Sequence, residues 1–260
     1  MVARAAVTFD LWHTLVHLEV SEEARYLERQ LDAAARVLAA APDAPGAPSR
    51  STGELREAFA RELRAAVVAS HEGRSVTPAE QIARAAEATG RLARPEAYVR
   101  ELEHIVATTR FIAAPGAREA IERLRSQGYA VGVISNTVGE PGRFLRRALA
   151  PLGFDAAIER YVFSDEEAWA KPSPEIFRAT LTRLGSEASR AVHVGDSWAD
   201  IEGARRAGLR AGVLFTGLQQ YAPQYRDLNF APEFDRGTAD FQLDDLRSLA
   251  PLVGRILPAE

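Results

Sequence analysis

Short apolar runs recur along the chain, each ending in a polar cluster and followed by apolar residues at helical spacing. Ala5–Phe9 runs into Asp10-Leu-Trp-His-Thr14, and Ala130–Ile134 into Ser135-Asn-Thr137. Val162-Phe163 leads toward Lys171, Ala191–Val194 runs into Gly195-Asp-Ser197, and Ala211–Phe215 into Thr216-Gly217. A strand covered on both faces must be apolar at nearly every position, so such runs alternating with helices predict a parallel sheet with helices on either side. Ala239–Leu243 reads as a last strand and Asp245–Ile256 as a closing helix. Ligands of parallel sheets bind beyond the carboxyl ends of the strands. Asp10, Ser135 and Asp196 all fall there.

The long stretch between the first two strands has helical periodicity only. Leu27, Leu31, Ala34 and Leu38 form one apolar stripe, Leu55, Phe59, Leu63 and Val67 a second, and Tyr98, Leu102 and Ile105 the last. Ser51-x-x-Glu54 and Thr77-Pro-x-Glu80 have the form of capping boxes, while the proline-rich run 42–48 cannot be helical. Four helices are therefore expected as a module inserted after the first strand of an α/β core. The division is 1–15 and 110–260 for a Rossmann-like parallel-sheet core and 16–109 for an all-helical cap. In the core, Pro115-Gly116 opens a helix that stops at Gly128, and Ser173-Pro174 opens another.

Composition narrows the function. The 260 residues are 47% hydrophobic and 26% charged, with a formal net charge of −4, as expected of a globular chain. The acidic balance argues against coating nucleic acid, which requires a basic surface. The absence of cysteine excludes disulfides, thiolate catalysis and cysteine zinc sites. Apolar runs far shorter than a bilayer span argue against membrane helices, and an apolar stretch ending at Asp10 is a poor signal peptide, so the cytoplasm is the expected location. A monomer or homodimer is expected. Lys171 is the only lysine among 32 basic residues. A chain that otherwise uses arginine keeps lysine where a compact ammonium is needed, or by chance.

The residues at the sheet edge have both plain and chemical readings. Asp10 suits a nucleophile that forms a covalent intermediate, and equally a turn or helix cap. Asp196 and Asp200 with Asp10 make an oxygen-rich set fit for Mg²⁺, or a helix-capping pair. Ser135, Asn136 and the turn after them could hold phosphoryl oxygens, or be ordinary turn chemistry.

Taken in order, these segments resemble the four motifs of the haloacid dehalogenase-like hydrolase superfamily. Val7-Thr-Phe-Asp10-Leu-Trp-His-Thr14-Leu15 is similar to the nucleophile loop, and Gly132-Val-Ile-Ser135-Asn136 to the phosphate-binding motif. Lys171-Pro172 resembles the lysine motif and Gly195-Asp196-Ser-x-x-Asp200 the acidic motif, so the likeness spans about residues 5 to 215. The resemblance implies Asp10 as nucleophile, Ser135 and Asn136 on phosphate, and Lys171 neutralising charge. It also implies Mg²⁺ on Asp10, Asp196 and the Trp12 backbone carbonyl, with Asp200 in support, and a small, anionic substrate.

Phosphatases of that superfamily place a second aspartate two residues after the nucleophile, as general acid and base. Trp12 stands there, and indole cannot shuttle a proton, a loss worth about 10²–10⁴ in rate. Three readings follow: a Mg²⁺-dependent phosphohydrolase, a metal-independent 2-haloacid dehalogenase-like hydrolase, or a non-catalytic binding protein of the same fold. The intact Gly195-Asp196-Ser197 and Asp200 favour the first. His13 is the nearest candidate proton carrier, unless it points away. Trp12, Trp169 and Trp198 either wall the site with indoles or pack beneath its loops. The aromatic segment Thr216–Gly237 is read as a lid or subunit contact.

Overall fold

The computed structural model describes residues 4–154, 156–218 and 239–257. Strand β1 (Ala6–Phe9) leads through a tight loop to β2 (Val16–His17), then to helices α1 (Val20–Ala40), α2 (Thr52–His71), α3 (Pro78–Thr89) and α4 (Pro95–Ala107). The chain returns through β3 (Ile112–Ala113), α5 (Ala117–Ser126), β4 (Ala130–Ser135), α6 (Gly142–Leu149) and β5 (Arg160–Phe163). It ends with α7 (Pro174–Leu184), β6 (Ala191–Gly195), α8 (Trp198–Ala207), β7 (Ala211–Phe215), β8 (Phe241–Leu243) and α9 (Leu249–Ile256).

Six strands form one sheet in the order β5-β4-β1-β6-β7-β8, every pairing parallel. The chain first adds strands on one side of β1 and then crosses to the other, which makes β1 the switch point where such sheets open to ligands. The two faces differ. Val7, Phe9, Val131, Val133, Val192 and Val194 are buried in the main core with residues of α5 and α9. Their neighbours Ala6, Ala130 and Ala191 face α7, where Gly132 leaves room: a Cβ there would stand 3.0 Å from Leu184 Cδ1. Small residues on that face let α7 settle close against the strands.

The insertion is all-helical and its stem is narrow. β2 and β3 pair antiparallel, Val16 with Ala113 and His17 with Ile112, so the chain leaves and rejoins the core side by side. The expected stripes are interior: Leu31, Ala34, Leu38, Leu55, Phe59, Leu63, Tyr98, Leu102 and Ile105 are buried, and Leu27 and Val67 are half-buried. Both capping boxes form, each with the side chain and backbone bonds reciprocated.

Several expectations shift at their edges. Ser135 is the last residue of β4 rather than the first beyond it. The closing helix begins at Leu249, because Asp245 accepts from the Arg247 N–H and caps a short 3₁₀ turn first. The last strand is shorter than expected, Phe241–Leu243. Most of the segment proposed as a lid, with Tyr221, Tyr225, Phe230 and Phe234, lies outside the described residues. Among those described, no helix is long and apolar enough to cross a membrane.

Candidate active site

Strand register assembles the site. Phe9 pairs with Val133 on one side and Val194 on the other, so Asp10, Ser135 and Asp196 leave the sheet at one edge. The Asp10 N–H is anchored on the Val194 carbonyl at 2.8 Å. Lys171 comes from the loop after β5 and is almost fully buried, its ammonium donating to Asp10 Oδ1 and, at 2.6 Å, to Asp200 Oδ1. Carboxylate oxygens of Asp10, Asp196 and Asp200 all lie within 4.8 Å of one another.

Asp200 uses both oxygens, one of them for the capping that its position suggests. Oδ2 accepts from the Ser197 N–H at 3.0 Å and from its hydroxyl at 2.5 Å, capping α8, while Oδ1 turns to Lys171 and to His193 Nε2 at 3.0 Å. Burial pushes the Asp200 carboxyl upward, but Lys171 and His193 outweigh it and hold it far below the usual carboxylate range. Burial likewise opposes the Lys171 ammonium, and Asp10 with Asp200 overcome it. Asp10 and Asp196 behave differently. Burial carries Asp10 up to about 6 against the pull of Lys171, and burial with the nearby Asp10 carries Asp196 up to about 7. One ammonium is too little charge for three carboxylates. The donor set is hard oxygen, and it has the character of a divalent-cation site.

Ser135 is 1% exposed and its hydroxyl has no hydrogen-bond partner among the described residues, as has the buried Thr14 hydroxyl. Asn136 is differently employed. Its Nδ2 donates to the Lys171 carbonyl at 2.8 Å and its Oδ1 accepts the Lys171 N–H at 2.8 Å. The side chain expected on phosphate thus clamps the backbone of the lysine, and also donates to Ser70 Oγ of α2 at 3.0 Å.

Above these groups the cap closes on the core. The Trp12 indole N–H donates to Glu140 Oε1 at 3.1 Å, and its ring packs against Phe111 and Tyr26 with centroids 5.5 and 5.9 Å apart. Glu140 Oε2 accepts from Gln30 Nε2 at 3.2 Å, and burial pushes the Glu140 carboxyl up to about 7. His13 has φ +55°, a left-handed conformation, and its Nε2 meets Glu23 Oε1 of α1 at 2.5 Å. Burial opposes the imidazolium, but the Glu23 bond and the charges of Asp196, Glu23 and Asp10 raise its pKa. The three indoles are separately employed: Trp169 is 45% exposed beside the cap turn at Arg74, and Trp198 lies under the Arg206 guanidinium.

Glu23, Gln30, Glu140 and His193 were not singled out from the sequence as site residues. Glu23 and Gln30 join Tyr26 at helical spacing on α1, a second buried stripe beside the apolar one. Their polarity disguises it. Glu140 lies in a loop without periodicity. His193, fully buried, holds Thr8 Oγ1 at 2.9 Å on Nδ1 and Asp200 on Nε2. An ionised carboxylate can only accept, so Nε2 carries the proton, and burial lowers the ring's pKa, which keeps it neutral.

Residues 5–208 match the family model described as haloacid dehalogenase-like hydrolase. The glyceraldehyde 3-phosphate phosphatase of Pyrococcus abyssi is 37% identical over 97 residues, a stretch covering 37% of this chain and 40% of that one. A phosphatase structure from Thermococcus onnurineus superposes with a TM-score of 0.61 at 22% identity, covering 96% of this chain and 98% of that one. A 2-haloacid dehalogenase from Pseudomonas syringae pv. Tomato superposes with a TM-score of 0.60 at 23% identity, covering 98% and 99%. At such identities the two structures share the fold.

Proposed function

The chain belongs to the haloacid dehalogenase-like hydrolase family, and from that premise we propose that it is a Mg²⁺-dependent phosphohydrolase of a small phosphorylated metabolite, with Asp10 as nucleophile. The observation that carries this reading is the carboxylate cluster beside the lysine-held Asp10. Attack on a carbon–halogen bond needs no metal, and would leave the cation-binding character of the three carboxylates unused. We assign residues 1–15 and 110–260 to the core and 16–109 to the cap, a division supported by the narrow β2–β3 stem.

In this mechanism an Asp10 oxygen attacks phosphorus as the ester oxygen departs, and water then cleaves the aspartyl-phosphate, returning Asp10. Lys171 holds the attacking carboxylate in place. The Ser135 hydroxyl, without a hydrogen-bond partner among the described residues, is available to donate to a phosphoryl oxygen. Asn136 positions Lys171 through its backbone. Asp10, Asp196 and the Trp12 carbonyl would hold Mg²⁺, with Asp200 supporting. When bound, the ion would offset the negative charge that carboxylates and phosphate bring together. Trp12 supplies no proton, so the leaving group must depart as a stable anion or take its proton from elsewhere.

Phosphate release from p-nitrophenyl phosphate should require Mg²⁺ and fall below detection in Asp10→Asn. Metal-independent halide release from a 2-haloacid would overturn this in favour of dehalogenation. Inertness toward broad panels of both classes would leave a binding protein.

A further inference from the structure

Lys171 stands on a loop held from two sides, core and cap. The tip of the cap, where α2 ends, lies along that loop like a short added strand. Arg74 bridges Trp169 in antiparallel fashion, and the Ala170 N–H donates to the Gly73 carbonyl at 3.0 Å. Two backbone bonds tie the tip together: the Gly73 N–H returns to the Ser70 carbonyl at 2.8 Å and the Arg74 N–H to the Ala69 carbonyl at 2.9 Å. The Ser70 side chain and the Gly73 carbonyl therefore meet the core as one piece.

A second tie reaches the lysine itself. Asn136, directly after β4, takes both backbone groups of Lys171, which fixes the orientation of its amide: Oδ1 accepts the N–H and Nδ2 donates to the carbonyl, each at 2.8 Å. An amide nitrogen carries two protons. The second goes to Ser70 Oγ at 3.0 Å, on a side chain that is buried in the seam at 6% exposure. A line of bonds thus runs from α2 of the cap through Asn136 to the lysine backbone, and from the lysine ammonium to Asp10. Lifting the cap would break the Ser70 and Gly73 bonds together.

We infer that Ser70 is a positioning residue: the seated cap tip fixes the Lys171 backbone through Asn136 and so sets the ammonium on Asp10. The lysine is then fully in place only while the cap covers the site, which couples attack on the substrate to closure. The inference rests on the phosphohydrolase reading for the reaction that Ser70 serves. The placement of Lys171 can be read without that reaction.

Because Lys171 is the chain's only lysine, protein labelled with ¹⁵N at lysine shows one backbone amide signal, that of the N–H held by Asn136. Ser70→Ala should move that signal and speed its hydrogen exchange severalfold. It should leave α2 folded, since alanine is the better helix former. In the same variant kcat for p-nitrophenyl phosphate with Mg²⁺ should fall about three- to tenfold, the worth of one hydrogen bond, with KM changed less. Thr89→Ala is the control. Its buried hydroxyl bonds carbonyls of its own helix, α3, so the variant should leave the lysine signal and kcat where they are, whatever stability it loses. A lysine signal unmoved in Ser70→Ala would overturn the inference, as would one that moves equally in Thr89→Ala. So would an unchanged kcat in active protein whose lysine signal has moved. An inert wild type whose lysine signal still answers to Ser70 alone would sink the hydrolase reading and leave the placement of Lys171 by the cap standing.

Discussion

At the residue scale, Lys171 shows why this chain keeps one lysine. Its ammonium occupies a space bounded by Asp10 and Asp200 with almost no exposure. A guanidinium is planar, wider and committed to a fork of five donors. Forced into the same space it would displace Asp10, and a shift near 1 Å can cost about 10²-fold. Lys171→Arg should therefore lose at least about 100-fold in kcat/KM, close to Lys171→Ala. The alanine variant should also be less stable, because breaking a buried pair costs about 3–5 kcal/mol. An arginine variant with near wild-type turnover would return the lone lysine to chance.

The neighbouring carboxylates make a thermodynamic prediction with a definite sign. Asp10 and Asp196 hold protons in the native state up to about 6 and 7, from an ordinary value of 3.8. Between those limits the native protein binds more protons than the unfolded chain, so stability falls as pH rises. Metal-free protein should lose Tm on going from about pH 5 to pH 7.5, and saturating Mg²⁺ should flatten most of that decline. A residual slope belongs to Glu140, raised to about 7 and bonded to the Trp12 indole rather than to these carboxylates, and to His13, whose pKa is also raised. Identical slopes with and without Mg²⁺ would remove the ion from these carboxylates.

At the element scale, α1 carries two buried stripes, and they oppose one another in legibility. Leu31, Ala34 and Leu38 show as an apolar period in the sequence and pack within the cap. Glu23, Tyr26 and Gln30 face the core loops, and nothing in their residue types separates them from a solvated face. The strands are legible because burial on both sides demands unbroken apolar runs. The β2–β3 stem is too short for any periodicity, and α6 is too short and arginine-rich to stand out. His193 interrupts an apolar strand only because Thr8 and Asp200 satisfy both ring nitrogens, a pairing that requires the sheet to be known.

The polar stripe is testable through His13. Its left-handed backbone favours glycine by about 1–2 kcal/mol. Removing the imidazole, however, strips a partner from the fully buried Glu23, a loss of about 3–5 kcal/mol. His13→Gly should therefore destabilise the protein in urea unfolding, although it relieves the backbone. Placed on Glu23→Gln, where no buried charge is left behind, the same change should be neutral or stabilising. Equal costs in both backgrounds would mean that α1 is not held to the loop after β1 by this pair.

At the scale of the whole molecule, cap and core meet along a continuous seam while being joined covalently only through a narrow stem. The turn after α2 seats on the lysine loop, with Ala170 N–H on the Gly73 carbonyl at 3.0 Å. Ser70 meets Asn136, Gln81 meets Val138 and Glu23 meets His13 along the same line. With Asp10 beneath this seam, the proposed turnover would require the cap to lift for substrate and reseat before reaction, which would shield the site from water. Gly73 reports on the reseating. It has φ +83°, and a Cβ there would stand 2.9 Å from Ser173 Cβ. Gly73→Ala should hold the cap tip off the core, raising KM and lowering kcat together, with only a modest fall in Tm. Strain alone is controlled by Gly46→Ala, where φ is +78° and nothing lies within 4 Å, so stability should drop while the kinetics stay put. Adding Ser173→Gly to Gly73→Ala removes the clash but not the strained φ, and should restore part of the activity and little of the stability. If Gly73→Ala and Gly46→Ala behave alike, the tip does not have to seat for catalysis, and the seam is packing rather than a closing step.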